Sequence, residues 1–135
     1  MRKLALLLGL LCAGLAQAVT PQDILRELEA EARRGNSGFA GFSAGRGERF
    51  YHAERTGADG VKLSCATCHT ADPRAIGKTR ANKDIAPMAP AANRERFTDA
   101  AKVDKWFRRN CNDVLGRACT AEEKGDFLTY LVNIR

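Results

Sequence analysis

The chain has 135 residues, a length that allows one domain of ordinary size. It carries 22 Lys and Arg against 16 Asp and Glu, a formal charge of +6, and 44% of its residues are apolar, which excludes a disordered charged tail. Five cysteines against two histidines make an odd thiol count for an exported disulfide protein and leave few imidazoles for a zinc site.

An export signal is predicted over residues 1–18. A short basic start precedes an apolar run from Leu4 to Leu15, and Ala16–Ala18 fits the small-x-small pattern of a signal-peptidase site. The run is too short to span a bilayer. Cys12 is a poor lipoprotein cysteine because a bulky leucine precedes it. Cleavage leaves residues 19–135 as one domain with four cysteines and a charge of +4. We therefore expect an exported, periplasmic protein that is not inserted in the membrane.

Two helices are predicted ahead of the paired cysteines. Thr20 can cap a helix over residues 21–35, which begins with a proline and ends with a glycine. The apolar stripe of this helix is formed by Ile24, Leu25, Leu28 and Ala32. Ser43 can cap a second, shorter helix over residues 44–54.

Two stretches of the chain lack helical periodicity. Residues 56–63 are predicted to form a loop. Residues 70–96 hold three of the four prolines and are predicted to form one long loop with a single turn inside it. A loop of that length is uncommon in a small domain unless it wraps around something functional.

The last third of the chain is predicted to be helical again. Thr98 can cap a helix that ends at Gly116. At about 100° per residue, one face of this helix collects Val103, Trp106, Phe107, Asn110 and Val114. Thr120 opens a capping box for the final helix, whose stripe holds Phe127, Leu128, Leu131 and Ile134. Since a glycine in a helix is typical of a close approach, we expect Gly47 and Tyr51 to pack against this stripe, near its leucines. The predicted fold class is all-α with long loops.

Cys65, Cys68 and His69 form the most specific motif of the chain, C-A-T-C-H. The pattern C-x-x-C-H is typical of c-type haem attachment. Two thiols spaced by two residues at a helix start can reach the two vinyl groups of one haem, and the histidine that follows can ligate the iron as its proximal ligand. The motif therefore predicts one covalent haem c.

Three other sites could use the same residues. A thioredoxin-like dithiol would normally follow a strand, which the pattern lacks. A four-cysteine zinc site prefers a shorter second knuckle than the spacing of Cys111 and Cys119. A disulfide between Cys65 and Cys68 would leave His69 without a role. Haem attachment is therefore the preferred interpretation.

Cys111 and Cys119 flank the predicted turn between the last two helices. A disulfide between them would pin that turn and stabilise the fold by about 2–3 kcal/mol in the chain-entropy model. A redox-active pair is the alternative.

The second axial ligand of the iron has three candidates. His52, the other histidine, has charged neighbours and is predicted to lie at the surface. Met88 lies in a proline-flanked run and would give an ordinary low-spin electron carrier. It precedes the penultimate helix, whereas the ligating methionine of small class I cytochromes follows that helix. Asn110 occupies the later position, where the alternative for its amide is a hydrogen bond to the turn backbone.

From about Ser43 onward, the chain resembles the sphaeroides haem protein family of high-spin c-type cytochromes. Besides C-x-x-C-H, the segments that carry this resemblance are Gly77–Arg80, Lys83, Ile85–Pro87, Arg96–Asp99, Trp106, Arg109–Asn112, Gly116–Arg117, Cys119–Thr120 and Glu123–Lys124. The run Arg-Asn-Cys-Asn followed by a second cysteine is not a feature of ordinary cytochromes c, so the resemblance is specific.

The resemblance implies a class I cytochrome c-like fold, with four to five helices and a long loop wrapped around one haem. It implies that His69 is the proximal ligand, that Asn110 is a weak distal ligand of high-spin iron, and that Cys111 and Cys119 form a disulfide. In that family the asparagine leaves the iron on reduction, which opens a site for dioxygen or nitric oxide. The family also implies a dihaem cytochrome c and a membrane cytochrome b as electron donors.

Four more residues are assigned to the haem environment. Trp106 and Phe107 are expected to keep the pocket apolar. Arg80 and Lys83 in the wrapping loop are candidates to pair with the haem propionates, and a solvated basic loop is the alternative. The net positive charge is expected to favour acidic redox partners over nucleic acid.

Three functions are compatible with this site. The first is a redox-active cytochrome that binds a diatomic molecule beside Asn110, and the second is a plain electron carrier with His69 and Met88 as ligands. The third is a terminal oxidoreductase or gas sensor that uses the first site. We identify no acid/base pair near the distal position, which argues against an efficient enzyme.

Overall fold

Five helices and two short hairpins form the part of the chain that the structure, a computed structural model, describes: residues 19–57 and 59–135. The predicted export signal lies outside the described residues. The helices are α1 (Pro21–Gly35), α2 (Ala44–His52), α3 (Cys65–His69), α4 (Ala100–Leu115) and α5 (Ala121–Val132). The hairpins are antiparallel pairs of strands, β1 (Arg55–Thr56) with β2 (Lys62–Leu63) and β3 (Gly77–Lys78) with β4 (Asp84–Ile85). The predicted all-α class is confirmed.

Polar side chains cap the helices at their N-termini. The predictions for α1, α2 and α5 are confirmed, with caps Thr20, Ser43 and Thr120. The prediction for α4 was wrong, since its cap is Asp99, whose carboxylate accepts from Lys102 N at 3.0 Å. The Thr98 hydroxyl instead donates to Glu95 O at 2.8 Å, which leaves the capping position to the next residue. Gly116 ends α4 in the left-handed conformation, as predicted.

Both stretches predicted as plain loops contain a hairpin. β1 and β2 frame the first stretch, and β3 and β4 lie within residues 70–96. Strands of two residues are too short to show an alternating pattern in the sequence, which is why the prediction missed them. The second helix also ends earlier than predicted, at His52.

α2 and α5 cross in close contact, as the glycine in α2 indicated. A Cβ on Gly47 would lie 2.0 Å from Asp126 O and 2.8 Å from Tyr130 Cβ, so a side chain is excluded at this position. Tyr51 is fully buried, and its ring centroid lies 6.0 Å from that of Phe127 and 5.7 Å from that of Tyr130. The predicted packing of α2 against the stripe of α5 is confirmed.

A buried carboxylate joins the two helices at the same crossing. Asp126 is 4% exposed, and its two oxygens accept from Arg46 Nε at 2.6 Å and from Arg46 Nη2 at 2.8 Å. Ser43 N also donates to it, at 2.7 Å. A bidentate pair of this kind fixes orientation as well as distance.

The centre of the core lies between α5 and α1. Leu128 and Leu131 are fully buried, and the buried stripe of α1 is formed by Ile24, Leu28 and Ala32. Leu25, predicted on the same stripe, is half-buried. Within residues 19–57 and 59–135, no helix has the length and apolar character that a membrane crossing requires.

α4 contributes less to the core than its pattern predicted. Of the five residues predicted on one face, Phe107 is buried, while Val103, Asn110 and Val114 are half-buried. Trp106 is 45% exposed within the protein chain. Lys105 Nζ lies 5.6 Å and the Arg109 guanidinium 5.7 Å from the centroid of its indole ring.

Candidate haem-binding site

The C-A-T-C-H motif forms α3, a helix of five residues. Ser64 is its N-cap: the Ser64 hydroxyl accepts from Thr67 N at 3.2 Å, and Thr67 Oγ1 accepts from Ser64 N at 2.9 Å. Thr70 follows the helix with a φ of +67°, which turns the chain away. The two thiols and the imidazole of the motif are therefore presented by one short, capped helix.

Two neighbouring segments hold α3 by its backbone carbonyls. Tyr51 Oη donates to His69 O at 3.0 Å and to Thr70 O at 2.8 Å. A Cβ on Gly77 would lie 2.1 Å from Cys68 O, so β3 packs directly on the backbone of α3. Sequence reasoning missed both contacts, because each joins residues that are distant in the chain.

The imidazole of His69 is in the protonation state that ligates a metal. Burial, and to a smaller extent the nearby Arg96 guanidinium, lower the pKa of His69 to about 4, so the ring is neutral at neutral pH. Within the described residues, its buried Nδ1 has no hydrogen-bond partner. A neutral imidazole directly after two free thiols is the donor set of a c-type haem.

The thiols of the motif fit thioether formation better than the alternatives. Cys65 and Cys68 are both free. Burial raises the pKa of Cys65 to about 11, whereas a thioredoxin-like dithiol depends on a lowered thiol pKa. Cys111 and Cys119 lie at disulfide distance, with Sγ–Sγ at 1.92 Å and Cα–Cα at 5.6 Å. This pairing argues against a four-cysteine zinc site, and the part of the chain that the structure describes contains no other cluster suited to a metal ion.

Asn110 is half-buried on α4, directly before the buried Cys111. Its side-chain amide forms no hydrogen bond within residues 19–57 and 59–135, so the bond to the turn backbone that the sequence left open is not present. The C-terminal turn of α4 is itself held in place, because a Cβ on Gly57 would lie 2.0 Å from Asp113 O. The Asn110 side-chain amide is therefore available to bind a ligand, and the C-terminal end of the helix that carries it is fixed.

Met88 is buried, and its backbone is anchored to the loop that follows α3. Met88 N and Ala89 N donate to Pro73 O at 2.8 and 2.9 Å. This anchor ties the Met88 segment to the loop that directly follows α3. His52, the remaining candidate, is exposed.

Three of the six cations of the wrapping loop, Arg80, Lys83 and Arg96, differ in their surroundings. Arg80 Nη1 forms an ion pair with Asp59 Oδ2 at 2.5 Å, and Lys83 is exposed. Arg96, which sequence reasoning passed over as a cation, is half-buried and donates from Nε to Pro87 O at 2.7 Å. No local pattern distinguishes Arg96, because its burial depends on how residues 70–96 fold.

Comparisons with known proteins agree with this donor set. A family model described as a domain of unknown function (DUF1924) matches residues 37–131. The cytochrome c-type protein SHP of Cereibacter sphaeroides is 43% identical over 128 residues, which cover 93% of this chain and 95% of that protein. Cytochrome c'' of Methylophilus methylotrophus is 34% identical over 120 residues, which cover 88% of this chain and 83% of that protein.

Both relatives have solved structures with the same fold. The structure described as oxidised SHP, an oxygen-binding cytochrome c, matches with a TM-score of 0.76 and 41% identity, over 85% of this chain and 97% of that chain. A solution structure of cytochrome c'', described as giving insight into haem-ligand detachment, matches with a TM-score of 0.76 and 33% identity, over 84% of this chain and 93% of that chain.

The fold, the free thiols and the neutral histidine agree with the two relatives. The cofactor is one haem c, and the all-α fold is that of these cytochromes. The chain belongs to the family of c-type cytochromes that includes SHP and cytochrome c''.

Proposed function

We propose that this chain is an exported, periplasmic monohaem cytochrome whose distal ligand, Asn110, leaves the iron on reduction and so admits a small diatomic molecule. The observation that carries the proposal is the half-buried amide of Asn110, which has no hydrogen-bond partner within the described residues. A haem c held by Cys65, Cys68 and His69 would supply a one-electron iron couple.

The proximal side is formed by α3. Cys65 and Cys68 would hold the macrocycle through thioethers, and His69 would ligate the iron with an imidazole that burial keeps neutral. Tyr51 and Gly77 fix the backbone of α3, so His69 does not need to change position between the two redox states.

The distal side is formed by α4. A neutral amide oxygen is a hard, weak donor that suits ferric iron better than ferrous iron, so reduction favours its release. The disulfide that we propose between Cys111 and Cys119 holds the backbone next to Asn110 while the side chain swings. Phe107, which is buried, and Trp106, one turn before Asn110 on the same helix, would keep the pocket apolar. The descriptions of the relatives as oxygen-binding and as showing haem-ligand detachment agree with this proposal.

Absorption and electron paramagnetic resonance spectra of the oxidised holoprotein test the ligand set. We expect a high-spin ferric signal, no thioether-to-iron charge-transfer band in the near infrared, and carbon monoxide or nitric oxide binding after reduction. Asn110→Ala should change the ferric spectrum, while the matched core variant Met88→Leu should leave it unchanged. A thioether band that disappears in Met88→Leu would instead show an ordinary electron carrier.

The redox partners follow from charge. The predicted mature chain has a net charge of +4, which favours acidic partners, and we propose a dihaem cytochrome c or a membrane cytochrome b as the electron donor. Electron transfer from either donor, measured by stopped flow, should slow as ionic strength rises. A rate independent of salt would contradict an electrostatic docking surface.

A further inference from the structure

Arg96 is a half-buried cation whose surroundings supply carbonyl oxygens and no carboxylate. Its Nε donates to Pro87 O at 2.7 Å, and its Nη2 donates to Ala86 O. Burial lowers the pKa of the Arg96 guanidinium, and no acidic side chain of the described residues raises it. Arg80 differs on each of these points, since it is exposed and forms an ion pair with Asp59.

A half-buried guanidinium without a carboxylate partner is stabilised when an anion is supplied. Taking a cation out of water costs free energy that carbonyl dipoles offset only in part. The two carbonyls occupy two of the five N–H donors of Arg96. The remaining N–H groups form an edge of the planar guanidinium that can bind the two oxygens of a carboxylate. The two carbonyls directly precede Met88, whose backbone N donates to Pro73 O, so the guanidinium is tied to the loop that follows the haem-binding helix α3.

We infer that Arg96 binds a propionate carboxylate of the haem, in the role that the sequence assigned to Arg80 and Lys83. The inference rests on the haem site proposed above. Propionates are the carboxylates of the cofactor itself, which explains why the protein provides no acidic partner for Arg96. A cation bound to a haem propionate also favours the less positive, reduced iron, so Arg96 raises the reduction potential.

The test uses the exported holoprotein with haem carrying ¹³C in its propionate carboxyl groups. Arg96→Gln keeps hydrogen-bond donors for the two carbonyls and removes the charge. We expect the labelled carboxylate bands in the reduced-minus-oxidised infrared spectrum to shift in this variant. The ratio of oxidised to reduced protein at a fixed applied potential should rise about tenfold, equivalent to about 59 mV for one electron. Arg94→Gln, an exposed neighbour, is the matched control and should change neither quantity.

Arg96→Lys separates charge from geometry. It should keep the reduction potential near that of the wild type and still shift the labelled bands, because an ammonium group cannot form a bidentate pair. If Arg96→Gln yields no holoprotein, the bands of Arg96→Lys alone decide between the two outcomes. Labelled bands that stay in place in every Arg96 variant, or that shift in Arg80→Gln instead, would overturn the inference.

The same samples keep this result distinct from the proposed function. The ferric spin state and carbon monoxide binding after reduction depend on Asn110, whereas the labelled bands depend on Arg96. An ordinary low-spin spectrum would contradict the Asn110 proposal while leaving the Arg96 measurement fully interpretable.

Discussion

The crossing of α2 and α5 is tightly packed, whereas α4, the helix that carries Asn110, is buried at few positions. At the crossing, a glycine allows backbone contact, Asp126 binds Arg46 in a bidentate pair, and Tyr51 is fully buried. α4 has two buried residues, Phe107 and Cys111, and the rest of its length is half-buried or exposed. It is held mainly at its C-terminal end.

The difference in packing distinguishes a rigid region, the crossing of α2 and α5, from a region where a side chain is free to move, α4. The crossing carries Tyr51, which fixes the α3 backbone at His69, so the ligand that we propose to stay on the iron depends on the tightly packed region. Asn110 depends on α4, where few contacts restrain a side chain that we propose to move.

Gly47→Ala should destabilise the crossing of α2 and α5 more than any other substitution considered. The added methyl would lie 2.0 Å from Asp126 O, and backbone cannot yield cheaply, so we expect a loss of about 3 kcal/mol in the free energy of unfolding. Gly45→Ala is the matched control, since the nearest atom to its Cβ is 3.8 Å away, and it should gain about 0.5–1 kcal/mol. Denaturant unfolding of the holoproteins measures both values. Equal stabilities would show that the crossing is less rigid than described.

Replacing both Cys111 and Cys119 by serine should loosen the fixed end of α4. We expect a loss of about 2–3 kcal/mol in the free energy of unfolding, as for a disulfide that closes a short loop. The ferric spin state should become more temperature-dependent as Asn110 loses its support. Wild-type protein unfolded in the presence of a thiol reductant is the control and should match the variant. An unchanged unfolding midpoint in the variant would contradict the disulfide.

Tyr51→Phe should weaken the link between the crossing and α3. The variant keeps the ring but leaves the carbonyls of His69 and Thr70 without their donor, at a cost of about 1 kcal/mol. Tyr130→Phe is the control, because the Tyr130 hydroxyl forms no hydrogen bond within the described residues. Hydrogen exchange of the α3 amides should increase in the first variant only.

Arg117→Gln should have the smallest effect, and one that depends on pH. The Arg117 side chain lowers the pKa of Glu123 through a hydrogen bond. A lowered folded-state pKa stabilises the protein above the unfolded value of about 4.3, and this contribution is lost as pH falls through the folded value. The variant should therefore be less stable by about 0.5 kcal/mol at pH 7, since the pair is partly exposed, and equal to the wild type once the pH is well below the folded-state pKa of Glu123. A difference that persists in acid would assign another role to Arg117.

Local signals made most helices predictable. Thr20, Ser43 and Thr120 cap helices through groups within three residues, and the C-A-T-C-H motif needs no long-range contact to be recognised. The prediction of Thr98 as a cap failed because two adjacent residues could serve and backbone geometry decides between them. The hairpins were missed because their strands are too short to show a pattern.

The site was less predictable wherever its residues meet across the chain. Asp126 and Arg46 are 80 residues apart, and neither is unusual in its local surroundings. Arg96 is one of several loop cations until the fold buries it. The helical pattern of α4 identifies the face that Trp106 shares with Asn110 without showing what that face meets.

α3 is held in place by contacts to its backbone. Ser64 caps one end of α3, Tyr51 binds the carbonyls at the other, and Gly77 packs on Cys68 O, so none of these contacts uses a side chain of Cys65, Cys68 or His69. The contacts that hold α3 in position are therefore independent of the side chains that react with haem. Replacing either thiol or the imidazole should leave α3 in place, so each step of haem attachment and ligation can be removed singly in a protein that still folds around it.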